Sequence, residues 1–219
     1  MSNGSPIAPR KVRAGLVLLD SVSGRIQRVI VLQYNADSLN RTLQAQGAGG
    51  DSGDRLDALR LKAQPIETIK FDAEIDAADQ LEEPDKHPTA TRLGINPELA
   101  ALETTIFPRA DAIQANISLA SSGALEISPV EAPLALFVWS ENRIVPVRIT
   151  DFSITEEAFG MNLNPIRARV SLGLRVLTAN DLPLGHRGAG IYLGYHRSRE
   201  RMAGSVGGAL SQLGIRRIP

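Results

Sequence analysis

The feature that most constrains the fold is a strict alternation of apolar and polar residues over positions 166–176. Every second side chain is aliphatic, and the residues between them are arginine, serine or glycine. This period of two predicts a β-strand with one buried and one exposed face. Its eleven residues, at about 3.3 Å each, would extend for roughly 36 Å, which is long for a strand.

The N-terminal part of the sequence predicts a hairpin and a third strand. Residues 11–19 and 25–34 are apolar and β-branched, and turn residues at 20–24 separate them. Residues 38–46 alternate, although Arg41 interrupts the apolar side. The pattern therefore predicts a half-exposed strand after the hairpin.

Three more segments have the pattern of strands. Residues 66–76 alternate, with one side apolar and the other carrying Lys70, Asp72, Glu74 and Asp76. Residues 133–140 are continuously apolar, as expected of a strand covered on both faces. Residues 143–150 alternate again, and a two-residue link predicts a hairpin with the preceding strand.

One segment predicts a helix, and the remainder predicts loops. Asn96 as N-cap, a proline at the first helical position and an early acid start a helix that buries Leu99, Leu102 and Ile106. Residues 110–125 are compatible with a helix but only weakly periodic. Loop is predicted for residues 48–54 and 81–94, which are rich in glycine, or in charge and proline.

These elements predict a mainly β (α+β) fold, an antiparallel sheet closed into a barrel or sandwich with one packed helix. We expect a flexible tail at residues 1–10, a β-domain at 11–182 and an Arg/Gly-rich C-terminal extension at 183–219.

Composition excludes several classes of protein. The chain has no cysteine, which excludes disulfide scaffolds, thiol nucleophiles and iron–sulfur clusters. Its longest purely apolar run is six residues, and its N-terminus lacks the layout of a secretion signal. We therefore expect a soluble protein made in the cytoplasm. The formal net charge is zero, with 24 bases and 24 acids, which argues against nucleic acid as a partner.

The zero net charge conceals two opposed blocks. Residues 67–85 contain eight acids and one base, whereas residues 183–219 contain six arginines and one acid. Blocks of opposite sign within a neutral chain are typical of a protein that meets charged partners.

The acidic side of the strand at 66–76 is the first candidate site. Asp72, Glu74 and Asp76 share one face, but their two-residue spacing places neighbours about 6.6 Å apart, too far for one cation to bind all three directly. A metal-dependent enzyme using this face is an alternative, with a solvated or partner-facing surface as the simpler interpretation.

The histidines and the glycine-rich stretch do not form a recognisable site. His87, His186 and His196 fit no metal-binding spacing, and each lies in a predicted loop or tail. Residues 185–190 are rich in glycine, but they lack the βαβ context of a dinucleotide loop. We expect a flexible connection there and no catalytic, cofactor-binding or metal-binding residues.

The arginine-rich extension is the second alternative. Tyr192 and Tyr195 precede Arg197, Arg199 and Arg201, which suits stacking with phosphate contact on a nucleic acid or another acidic cargo. The cluster is small and almost lacks lysine, so a protein-contacting arm is favoured over a nucleic-acid binder.

A set of short segments, taken in order, resembles one family. The segments are IVLQYN (30–35) with LNR (39–41), LKAQPIE (61–67), FDAEIDAAD (71–79), GINPELAAL (94–102), PLALFVW (133–139), RIVPVR (143–148), ITEEAF (154–159), LNPIRAR (163–169) and LTAND (177–181). Together they resemble the tube-type N-terminal domain of LysM-containing spike–tube adaptors from contractile, phage-tail-like injection systems. The resemblance covers roughly residues 10–182.

The resemblance implies a non-enzymatic baseplate component that joins the inner tube to the central spike, with a β-barrel related to the tube protein. It implies no cofactor, and as partners it implies other copies in a ring (six in this family) together with tube, spike and baseplate wedge proteins, without membrane or nucleic acid. It places the protein in an assembled particle in the bacterial cytoplasm, with release as part of that particle. Ala36 stands where the family usually has proline, and the 37 residues after Leu182 do not accommodate a LysM module, so no cell-wall binding is inferred.

Residue patterning and resemblance together suggest where subunits meet. We expect the acids Asp72, Glu74 and Asp76 to complement, across subunit contacts, either the strand arginines or those of the C-terminal extension. These arginines are Arg167, Arg169, Arg175, Arg197, Arg199 and Arg201.

Overall fold

The computed structural model describes residues 12–20, 23–47, 61–123 and 132–218. The predicted tail at 1–10 and the predicted loop at 48–54 lie outside these residues. Two residues of the first predicted turn, 21 and 22, also lie outside them.

The described residues form one antiparallel sheet of seven strands, in the order β2-β1-β5-β6-β7-β4-β3. This confirms the predicted mainly β, α+β fold class. The strands are β1 (Gly15–Leu19), β2 (Ile26–Val31), β3 (Asn40–Gly47), β4 (Leu61–Asp76), β5 (Leu134–Ser140), β6 (Arg143–Phe159) and β7 (Pro165–Val176).

The alternating segment at residues 166–176 lies in β7, an interior strand of the sheet. Ala168, Val170, Leu172 and Leu174 are fully buried, as predicted, and the strand pairs with β4 on one side and β6 on the other. β6 continues nine residues beyond the predicted end at 150. It pairs with β7 along that added length, so backbone hydrogen bonds extend it through a polar stretch.

The sheet is strongly curved. The rings of Phe71 on β4 and Phe137 on β5 stack with centroids 5.3 Å apart, although β6 and β7 lie between these strands in the sheet. In a flat sheet, strands three positions apart would be separated by about 14 Å. The curvature encloses a core between the inner faces, as the barrel or sandwich prediction requires.

Backbone pairing does not close the sheet within the described residues, because β2 and β3 stand at the two ends of the strand order. One side chain bridges from the β2 end to the tip of β4. The Gln33 amide donates to the Asp76 carbonyl at 2.5 Å and accepts from the Asp76 backbone N–H at 2.8 Å. The sheet therefore curves towards a barrel, but among the described residues its edge strands β2 and β3 do not pair with each other.

Four short helices connect β4 to β5, where we predicted loop for 81–94. They are α1 (Ala78–Leu81), α2 (Pro88–Leu93), α3 (Asn96–Glu103) and α4 (Ala110–Ser121). The loop prediction is wrong over α2, because Pro88 occupies the first helical turn, where proline is tolerated, and Ala90 anchors the helix by its burial. The ambiguous segment at 110–125 is helical over α4, which buries none of its residues.

Helix α3 is the predicted packed helix, with two differences. Leu99 and Leu102 are buried as predicted, but Ile106 is 45% exposed because the helix ends at Glu103. Ile95, not Asn96, is the N-cap. The Asn96 side chain instead donates to the Leu93 carbonyl at 3.0 Å, so it joins α3 to the end of α2.

A second helix, α5 (Arg187–Gly204), also packs against the sheet, next to β6. Its Tyr192 and Tyr195 belong to the main core cluster. The loop or tail prediction for His196 and the flexible connection predicted at 185–190 are therefore wrong over this helix. The division of the chain at residues 10 and 182 stays a prediction.

Candidate assembly surfaces

The predicted acidic face lies opposite arginines of the same chain. In the β4–β7 pairing, Glu74 is opposite Arg169 and Asp76 is opposite Arg167. The Arg167 Nε atom lies 2.6 Å from Asp76 Oδ2 and 3.9 Å from Glu74 Oε1. Part of the predicted charge complementarity is therefore satisfied within the subunit.

Asp76 is the most constrained of these acids. Its burial alone would raise the pKa of the carboxyl, but a hydrogen bond from the Ala78 N–H and the Arg167 guanidinium outweigh it and leave the pKa below its usual value. The same contact raises the pKa of Arg167. Asp76 is therefore a structural acid at the tip of β4.

The other predicted strand residues have separate surroundings. Asp72 accepts a hydrogen bond from Ser171 Oγ at 2.5 Å, and Arg169 lies 3.9 Å from Glu157 on β6. Arg175 is bound to Asp181 at 2.7 Å, in the turn that follows β7. The structure thus brings Asp72, Glu74, Asp76, Arg167 and Arg169 onto one outer face of β4 and β7, and it separates Arg175 from them.

The metal-dependent alternative finds no support in this geometry. Asp72 and Asp76 are each engaged by a neighbouring side chain. Across the described ranges, no three or more histidine or carboxylate side chains are grouped so that they could hold a metal ion.

Two of the three histidines contact their own helix, and His87 precedes α2 without a side-chain capping bond. His186 is the N-cap of α5, where its Nδ1 accepts a hydrogen bond from the Gly188 N–H at 3.1 Å. His196 stacks on Tyr192 with ring centroids 6.4 Å apart.

A buried ion cluster joins α5 to the sheet, and the sequence prediction missed it. Glu67 on β4 is 2% exposed, and its carboxylate is bound by Arg41 of β3 at 2.6 Å and by Arg199 of α5 at 3.2 Å. Arg41 also donates to the Tyr195 hydroxyl at 3.3 Å, and the Arg199 guanidinium lies over the Tyr195 ring at 5.3 Å. Below, these four residues are called the Glu67 cluster.

The sequence did contain a signal for this cluster. Glu67 has the same strand parity as the buried Ile69 and Phe71, and Arg41 interrupts the apolar side of its own strand. An inward-facing charge on each of two strands indicates a buried ion pair, because an unpaired buried charge is costly.

The cluster changes how the basic extension is interpreted. Arg199 joins the acidic and basic blocks inside one chain through its contact with Glu67. Tyr192 and Tyr195 are only 3% and 7% exposed, so neither ring is available to stack on a nucleic-acid base. Arg197 and Arg201 remain exposed and form no ion pair within the part of the chain that the structure describes.

Edge strand β2 exposes aliphatic side chains that a monomer would normally cover. Ile26 is 66% exposed, and Val29 and Val31 are each 55% exposed. The strand pairs with β1 on one side, and no other strand of the described residues pairs with it. An apolar, unpaired edge favours association with another chain.

A groove lies beside this edge, between β2 and α3. It has a volume of about 370 Å³, and its apolar lining includes Val29, Val31, Pro97 and Ala101. Arg13, Asp76 and Glu98 supply charged groups at the same groove. Its volume lies at the lower end of the range of small-molecule binding pockets.

The C-terminal segment, residues 205–218, exposes apolar side chains along its length. Val206, Leu213 and Ile218 are 80%, 74% and 72% exposed. Apart from a 3₁₀ turn at Leu210–Leu213, the segment has no regular structure. It therefore presents apolar surface that the described fold does not cover.

Comparisons with known proteins do not identify a family. No protein-family model and no curated protein matches the chain. Solved structures with similarity include the tail of an empty gene transfer agent particle with C6 symmetry, at 12% identity and a TM-score of 0.30, over 75% of this chain and 90% of that one. Another is the virion of a native gene transfer agent particle, at 12% identity and a TM-score of 0.28, over 74% and 90% of the two chains. At these values neither similarity establishes a shared family. None of the helices in the described ranges combines the length and apolarity needed to cross a bilayer.

Proposed function

We propose that this chain is a structural subunit of a contractile, phage-tail-like particle, an adaptor in the baseplate between the inner tube and the central spike. The specific role comes from the ordered sequence segments that resemble tube-type adaptor domains. The observation that carries the assembly role is the apolar edge of β2, where Ile26, Val29 and Val31 are more than half exposed. Such an edge promotes aggregation of a free monomer, whereas in an assembled particle it can pack against a neighbouring subunit.

The surface also favours assembly over catalysis. Several of the described carboxylates and histidines are engaged in contacts within the subunit, as at Asp76, Glu67 and His186. The exposed apolar side chains lie instead on the edge strand β2, on helix α4 and along the C-terminal segment. The proposed partners are further copies of this chain, six to a ring, and tube, spike and baseplate wedge proteins.

The test is incorporation into particles in the producing bacterium. A strain carrying the double substitution Val29→Lys and Val31→Lys would express a subunit whose β2 edge is charged while its inward Ile30 is unchanged. We expect the monomer to stay folded, since both valines face solvent, and the protein to be lost from purified particles. Particle content would be measured by quantitative mass spectrometry, and folding by circular dichroism.

The control is Leu61→Lys, which places one lysine on a side chain that is 77% exposed at the start of β4. This variant should be incorporated normally. Normal incorporation of the β2 variant, or isolation of complete particles that contain none of the wild-type chain, would overturn the proposal.

A further inference from the structure

The C-terminal segment and the groove beside β2 are complementary surfaces at different ends of the subunit. The segment follows α5, which is anchored to β4 at Glu67 by Arg199. The groove is lined by Asp76, the last residue of the same strand, whereas Glu67 lies near the middle of that strand. The nine residue steps from Glu67 to Asp76 correspond to about 30 Å along the strand.

The groove-bearing end also contains α3. The Ile95 N–H donates to the Pro165 carbonyl and the Ala77 N–H donates to the Ile166 carbonyl, each at 2.9 Å. These bonds fix the chain entering α1 and α3 to the first residues of β7, which lie beside the tip of β4. The subunit thus has an α5 end and an α3 end.

The two surfaces have matching polarity. The apolar side chains of Val206, Leu213 and Ile218 are mostly exposed, and the groove offers Val29, Val31, Pro97 and Ala101. Burial of apolar surface is the dominant favourable term in most protein association.

The two surfaces also have opposite charge. Residues 205–218 contain Arg216 and Arg217 and no acid. Glu98 lines the groove, and Asp79, Glu82 and Asp85 continue the acidic surface along α1 and the turn after it. These three acids form no ion pair within the described ranges, so they are available to basic partners, although Arg13 also lines the groove.

We propose that residues 206–218 of one copy bind in the groove between β2 and α3 of a second copy. In the described fold the segment does not fill its own groove, because Val206, Leu213 and Ile218 stay 80%, 74% and 72% exposed, which leaves both surfaces available to a second copy. A contact from the α5 end of one copy to the α3 end of the next is head-to-tail, which generates a ring or a stack. It needs only self-association, so it does not depend on the adaptor role.

The absence of cysteine makes disulfide trapping a clean test on the full-length protein. Ser211→Cys would be made in one tagged chain and Ala101→Cys in another of different mass, and the two would be mixed under mild oxidation. Ser211 is exposed in the 3₁₀ turn, and Ala101 lines the groove. We expect a mixed disulfide to form at least tenfold faster than in the control pair, Ser211→Cys with Leu61→Cys.

Two further variants make the result specific. Adding Val31→Asp to the Ala101→Cys chain, or Arg216→Glu and Arg217→Glu to the Ser211→Cys chain, should lower the yield several-fold. Equal rates for the groove and control pairs would overturn the proposal. So would a concentration-independent disulfide within one chain carrying both cysteines, because the segment would then occupy its own groove. A trapped dimer combined with absence from particles would leave this contact intact and remove only the adaptor role.

Discussion

Among individual residues, Glu67 is the most deeply buried carboxylate of the described fold. It is the point where β3, β4 and α5 meet, through Arg41 and Arg199. Its burial at 2% exposure leaves water little access to the carboxylate. The two arginines must therefore supply the compensation that solvent would give.

Replacing Glu67 by glutamine should lower the free energy of unfolding. The substitution keeps the shape of the side chain but leaves two arginines facing each other without a counter-charge. Breaking a buried ion pair costs about 3–5 kcal/mol. Because the arginine side chains are 24% and 31% exposed, we expect a loss of only about 2–3 kcal/mol. Urea unfolding measures it, with Glu74→Gln, an exposed carboxylate, as the control; equal stability of the two variants would contradict this assignment.

Asp76 predicts a pH dependence whose direction follows from its contacts. Its pKa is lowered in the folded protein, so it stabilises the fold above its unfolded pKa of 3.8, and this contribution disappears as the pH falls through the lower, folded value. Wild type should therefore be more stable than Asp76→Asn at about pH 7, with the difference shrinking at about pH 2. Urea unfolding at several pH values measures the difference. A constant difference over that range would show that the charge of Asp76 does not contribute.

At the scale of elements, α5 depends on its two tyrosines. Tyr195→Ala removes a buried ring, the hydrogen bond from Arg41 and the surface under Arg199. We expect a loss of about 3–5 kcal/mol, as for other buried aromatic residues. Tyr195→Phe keeps the ring and should cost only about 1 kcal/mol.

Hydrogen exchange distinguishes local release of α5 from a general loss of stability. In Tyr195→Ala, the amides of α5 should exchange faster than those of β7, since the helix loses its anchor while the central strand keeps both neighbours. Uniform acceleration across the sheet would instead mean that α5 unfolds only together with the whole fold.

The elements also show how far the sequence predicts this fold. β7 and the inward face of β4 were predictable because each side chain there obeys a two-residue period set by burial. The second half of β6 was not, because its residues are mostly exposed and the strand is held by backbone pairing with β7. Helix α5 was missed because it buries few residues, and because Arg199 finds its partner Glu67 132 residues away in the sequence.

At the scale of the whole molecule, the outer face of β4 and β7 refines the prediction about subunit contacts. Reversing the charges of Asp72, Glu74 and Asp76 together would test for complementary charge across a subunit contact. In the structure, Asp76 holds Arg167 within the subunit at 2.6 Å. The triple reversal would therefore weaken the monomer as well, by placing lysines beside Arg167 and Arg169.

A single reversal, Glu74→Lys, separates the two effects. Glu74 is 54% exposed and lies 3.9 Å from Arg167, so replacing it with a lysine opposite Arg169 should change monomer stability by no more than about 1 kcal/mol. If this face meets a basic neighbour, the variant should assemble poorly and wild-type assembly should weaken with salt. Analytical ultracentrifugation at low and high ionic strength measures both, with Glu141→Lys, an exposed turn residue, as the control. Assembly indistinguishable from wild type would leave this face without a charged partner.

The strand order has a consequence for how the subunit reaches its folded state. In the pairing of β1 with β5, Leu19 lies opposite Leu134. More than half of the 219 residues therefore separate these two neighbouring strands in the sequence. Contacts between residues this distant in sequence form late and slowly, because closing the long loop costs conformational entropy before the contacts stabilise the chain. Until β5 arrives, the hairpin of β1 and β2 lacks its neighbour and exposes apolar residues on both edges. The newly made chain is therefore prone to aggregation until β5, which ends at Ser140, has been synthesised and has paired with β1.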